Sequence, residues 1–136
     1  MDINAALTTD PNAVTSRVVL TKKADGSDDA VLIIVGPDAD AAKLEQARQR
    51  REGLKRRNKK ALDLTTDNGA QEMDAAVQDN LMGTACAAVV GWEGFTENGQ
   101  EKPFDPAAVR MLLTKFTEWR DAVLSEHNSN TAFLPK

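Results

Sequence analysis

Two β-branched runs dominate the first third of the chain, residues 17–22 (RVVLTK) and 30–35 (AVLIIV). Such residues suit a pleated surface. The polar insert between them carries the turn pair Asp25-Gly26, so residues 17–35 predict a β-hairpin with a loop longer than the tightest type. The second run is apolar throughout. It calls for cover on both faces, or for pairing at an edge with another chain. Gly36-Pro37-Asp38 stops the strand, and Asp38 or Asp40 stands where a helix N-cap is wanted. Residues 39–60 then predict a helix, interrupted at Gly53. Its apolar stripe is thin: Leu44, Ala47, Leu54 and Ala61, with Arg51 and Asn58 at the intervening positions. A stripe this narrow anchors weakly, which predicts a helix that projects from the body or completes its packing in a complex.

Residues 62–64 make a short apolar connection, and 65–69 read as a turn. Residues 70–90 keep Met73, Val77, Leu81, Thr84 and Ala88 on one helical face. Small residues around Cys86 let another element approach that half closely. Gly91 is the expected stop of this helix, which leaves Trp92 and Phe95 in a loop. Asn98-Gly99 predicts a tight turn. Asp105-Pro106 supplies an N-cap followed by proline at the first helical position. The last helix carries Val109, Leu112, Phe116, Trp119 and Val123 on one face, widened by Leu113 and Leu124, and should end at 128–130. Phe133-Leu134 forms an apolar tail. Residues 1–15 read as a flexible lead-in. The expected fold is one α+β domain over 16–136: an N-terminal β-hairpin (17–35), a basic helix (39–60) and a helical body (70–130), with three or four helices in all.

Composition sharpens this picture. A chain of 136 residues suggests a single domain. Aromatics are only 4% and tyrosine is absent, so modest stability, or stability gained by association, is expected. One cysteine, Cys86, permits no intrachain disulfide and favours a cytosolic setting. No basic-then-apolar start suggests a signal peptide, and the apolar runs are too short to span a bilayer. The net charge of −4 hides an asymmetry: residues 43–60 carry +7, leaving −11 on the rest. A positive element on a negative body folds back onto it or meets an acidic partner.

Catalytic chemistry finds little to work with. The one histidine, His127, reads as a surface residue at a helix end, and Cys86 as a packed, inert thiol among alanines. Two potential Cys/His ligands are too few for structural zinc. Residues 25–29 (DGSDD) lack the spacing and closing glutamate of a calcium loop. No phosphate-cradling glycine motif occurs. The expectation is a non-enzymatic protein with no catalytic residues, no metal and no cofactor. The basic helix raises nucleic acid as a partner, but no aromatics interleave with its bases and no recognition-helix arrangement is evident.

A family resemblance rests on the order of these features. A hairpin and an Arg/Lys-rich helix precede an alanine-containing helix that runs into Gly91-Trp92-Glu93-Gly94. Asn98-Gly99, Pro103-Phe104, a helix with Leu112-Leu113, and Phe133 follow. Over residues 17–134 this resembles the tail assembly chaperones of long-tailed bacteriophages. The resemblance implies a small folding partner of the tape measure protein, a very long and largely helical chain. Such a partner keeps that chain soluble in the host cell cytoplasm until tail tube subunits polymerise around it. It implies self-association, absence from the finished virion, and in many phages a longer product made by ribosomal frameshifting. The residues expected to meet a partner are Arg50, Arg51, Arg56 and Arg57 on the basic helix, Ile33 in the apolar strand, Trp92, Phe95 and Phe104 around the aromatic loop, and Phe133 in the tail. Two other readings fit the chain: a structural tail protein retained in the virion, and a nucleic-acid-binding accessory protein that uses residues 43–60.

Overall fold

A computed structural model describes residues 2–58, 65–129 and 132–134. In chain order the elements are α1 (Ile3–Thr8), β1 (Thr15–Val19), β2 (Val31–Val35), α2 (Asp40–Asn58), α3 (Asp67–Ala88), β3 (Val89–Glu93), β4 (Thr96–Glu97), β5 (Gln100–Glu101), α4 (Pro106–Lys115) and α5 (Thr117–His127). The class is mixed α+β. Among the described residues five helices stand where three or four were expected, one of them in the lead-in. There Asp2 caps α1 by accepting from Asn4 N at 2.9 Å, and none of the helix is buried. Lys59, Lys60, Ala61, the connection 62–64 and the helix end at residue 130 lie outside the described residues.

The two β-branched runs pair antiparallel, with Val18 opposite Leu32. In the loop between them Asp25 Oδ1 accepts from Ser27 N at 2.9 Å and Ser27 Oγ at 2.6 Å, and Gly26 takes φ +87°. Those two bonds hold the Asp25 carboxyl below its ordinary range.

The sheet has a third strand where the sequence predicts a helix end and a loop. α3 stops at Ala88, and β3 pairs antiparallel with β2, placing Trp92 opposite Leu32 and Gly91 opposite Ile33. Gly91 is thus a strand residue and not a helix stop. Val89 and Val90 favour extended backbone, and β2 offers them a buried apolar partner. That pairing spans more than fifty residues of sequence, so local periodicity does not show it. β2 is therefore the centre of the order β1-β2-β3, with both edges occupied. The edges of residues 31–35 are taken by β1 and β3 of the same chain and not by another chain.

α3 packs against α2, α4 and α5 and runs into β3, while α5 also meets β1 and β2 directly and α4 meets β3. The core joins Leu32 and Ile34 of the sheet to Ala85 and Ala88 of α3, Val109 and Leu113 of α4, and Val123 of α5, all 1% exposed or less. Apart from Gly69, the buried residues of α3 begin at Met82. Met73 and Val77, expected on the packed face, are 40% and 46% exposed.

The single last helix is two. Phe116 ends α4 and begins α5 with φ −116° and ψ 85°, its N–H bonded to Leu112 O at 2.8 Å. The break resets the helical phase. Val109 and Leu113 are buried before it and Val123 and Leu124 after it, while Phe116 is left 40% exposed, its ring tilted 34° against that of Trp119 with centroids 4.3 Å apart. His127, expected at the surface, is 2% exposed, and its Nδ1 lies 2.8 Å from Val35 O. The carbonyl can only accept, so Nδ1 carries the proton. The end of α5 packs against the end of β2, and no neighbour in sequence signals that contact.

Candidate protein-interaction surface

The aromatic residues between β3 and α4 form one corner. Asn98 (φ 54°) and Gly99 (φ +81°) turn the β4–β5 hairpin, the two positive φ values of a type I′ turn. The hairpin folds back because Lys102 N donates to Phe95 O at 2.9 Å and Trp92 Nε1 donates to Lys102 O at 3.0 Å. Trp92 stacks on Phe95 (centroids 4.5 Å, 24°) and meets Phe104 edge-on (5.4 Å, 84°). All three rings are half-buried against the core. The sequence-predicted trio is thus brought together, with one side to the core and one to solvent. Asp105 then caps α4, accepting from Ala107 N at 3.0 Å ahead of Pro106.

The basic helix is continuous through Gly53. Its first free N–H, on Asp40, goes neither to Asp38 nor to an aspartate cap of its own but to Asn12 Oδ1 at 2.8 Å. α2 docks on α3 by polar groups and small residues. Ala42 is buried, and Gln49 Nε2 donates to Asn80 O at 3.0 Å and Thr84 Oγ1 at 2.9 Å. Glu45 lies against Gly83, where a Cβ would overlap its carboxylate. The Arg48 guanidinium grips Glu45 at 2.6 Å and, with Gln49, holds its carboxyl below the ordinary 4.5 against the opposing pull of burial. A lowered folded-state pKa means the stabilisation is complete above about pH 4.5 and is lost as pH falls through the folded value. Thermal melts should therefore show an acid-induced loss of stability in that window that Glu45→Gln removes; an unchanged profile in the variant would assign the loss to other carboxylates.

The predicted arginines Arg50, Arg51, Arg56 and Arg57 are all exposed and form no ion pair among the described residues. Leu44 and Leu54 are 71% and 57% exposed, Met111 of α4 67%. These three lie outside the predicted partner set, although the thin stripe of α2 already contained both leucines. Ile33 is half-buried at the sheet centre between Arg17 and Gly91, and Arg17 beside it bridges Glu93 at 2.6 Å and Asp28 at 3.6 Å. Phe133 folds back onto Gly36, where a Cβ would come within 2.6 Å of its ring, and faces His127 edge-on at 6.4 Å. Together with Pro11, Val14 and Pro37 it lines a shallow groove of about 320 Å³.

Cys86 and His127 sit in different surroundings. Cys86 is half-buried in a groove with Glu45, Asp79 and Arg110, and burial raises its thiol pKa against the pull of Arg110. Among the described residues no group of three or more His, Cys, Asp and Glu is placed to hold a metal ion, and no helix is long and apolar enough to cross a membrane. Compared with protein-family models, with curated proteins and with solved structures, the chain shows no match.

Proposed function

We propose that this protein is a non-enzymatic tail assembly chaperone of a long-tailed bacteriophage. In this reading it binds the tape measure protein in the host cytoplasm and keeps it soluble during tail assembly. The observation that carries the reading is the succession Gly91-Trp92-Glu93-Gly94, Asn98-Gly99, Pro103-Phe104, on which the resemblance rests. Exposed apolar side chains on α2 and α4 support it, with Leu44, Leu54 and Met111 each more than half exposed. Such surface suits a protein that holds apolar helix faces of another chain.

Co-expression with the tape measure protein of the same phage is the direct test. The two chains should co-purify, and the client should move from the pellet to the soluble fraction. Absence of any complex would overturn the proposal. Mass spectrometry of purified virions separates it from a structural tail protein, since a stoichiometric amount in the particle would favour the latter.

A further inference from the structure

The spacing of α2 and its docking disagree in an informative way. Leu44, Ala47, Arg51 and Leu54 recur at intervals of three, four and three, the seam of a two-stranded coiled coil. In most surface helices such a stripe faces the body. Here the body takes another face, that of Ala42, Glu45 and Gln49. The stripe is turned outward, with Leu44 and Leu54 mostly exposed over about 15 Å of helix. Lys43, Arg50 and Arg57 flank it, and Arg51 lies within it. Glu45 and Glu52 are engaged by Arg48 and Lys55 of the same helix, and the flanking bases have no ion pair among the described residues. Gly53 sits between Arg50, Leu54 and Arg57 with open space where a Cβ would be. A side chain from a partner therefore has room to enter there.

We infer that this outward stripe is a docking seam for an acidic amphipathic α-helix of a partner protein. The partner's apolar residues pack on Leu44, Ala47 and Leu54, and its flanking carboxylates meet Lys43, Arg50, Arg51 and Arg57. Charge selects the partner: a basic or neutral helix leaves Arg51 facing the seam without a counter-charge, whereas an acidic one satisfies it. Nucleic acid would use the bases but not the leucines between them. The inference deepens the chaperone reading and rests on it only in taking the occupant to be a helix of another protein.

The test uses the full chain and a labelled synthetic peptide of three heptads, with Leu at both seam positions and Glu at the flanking ones. Fluorescence anisotropy should show binding that weakens with salt. Leu44→Ser with Leu54→Ser, two exposed positions whose variants should keep the wild-type circular dichroism, should weaken it about tenfold. Arg50→Glu with Arg57→Glu should do the same, and should gain binding to a peptide with Lys at the flanking positions. Equal binding of a peptide of the same composition with its leucines shuffled would overturn the seam. So would duplex DNA bound more tightly than the peptide and indifferent to the serine substitutions. A homodimer that the same substitutions dissolve would assign the stripe to a second copy, since α3 presents Asp67, Glu72 and Asp74 beside exposed Met73 and Val77. Undiminished client co-purification by the serine variant would overturn the seam and leave the chaperone reading standing. Peptide binding without any client complex would do the reverse.

Discussion

Gly94→Ala should destabilise the fold by about 3 kcal/mol or more, the largest effect expected of any single substitution outside the core. Two causes add. Gly94 holds φ +80°, which costs an L-residue about 1–2 kcal/mol. Beyond that, a Cβ there would overlap the main-chain carbonyl oxygen of Asp29 and crowd Ala30. The overlap is with backbone, at the point where the β1–β2 loop runs past the end of β3, and Val31 pairs with Glu93 one step away. No rotamer change relieves it, so strand or loop must move. Gly99→Ala supplies the control. Its φ is +81°, and a Cβ there would meet nothing within 4 Å, so it should lose only the conformational cost, about 1–2 kcal/mol. Urea unfolding of the two variants measures the difference. Equal losses would show that the close approach at Asp29 carries no weight.

Trp92→Ala should cost about 3 kcal/mol, the lower end of the range for a large aromatic because the ring is half-buried. The substitution removes the stack on Phe95, the edge contact with Phe104 and the donor to Lys102 O together. These contacts tie β3, the β4–β5 hairpin and the approach to α4 into one corner. Trp92→Phe keeps an aromatic contact but leaves Lys102 O without its donor, for a loss of about 1 kcal/mol. Chemical denaturation gives the stability change, and co-purification with the proposed client, at a temperature where the variant is folded, tests the functional one. Retained client binding would make the corner a joint of the fold alone. A stable variant that loses only the client would make the exposed side of these rings the contact surface.

Legibility in the sequence followed the range of the interaction. The hairpin of β1 and β2, the Asn98-Gly99 turn and the Asp105-Pro106 start of α4 were readable because each depends on neighbours: β-branched runs, residues that accept positive φ, and a cap ahead of a proline. The aromatic trio was readable as a cluster for the same reason. β3 was not, because Val89–Glu93 looks like a helix end until β2 is known to lie beside it. The break at Phe116 was hidden by a periodicity that runs through it unbroken in sequence. The burial of His127 is not legible in the sequence because its bond to Val35 O spans ninety-two residues.

The sequence by itself determined the mixed class, the starts of β2, α2 and α4, the charge asymmetry of residues 43–60 and the thin three-four stripe on the basic helix. Local propensity and charge need no partner to be read. Only the tertiary structure decided which way those patterns face. It closed both edges of β2, buried His127, and docked α2 by Ala42, Glu45 and Gln49, leaving Leu44 and Leu54 in solvent. The physical reason is that a helix has several faces of similar small cost, and the choice among them is made by what lies across the gap. Here Gly83, Asn80 and Thr84 of α3 offered a close, hydrogen-bonded seat that the leucine stripe could not use.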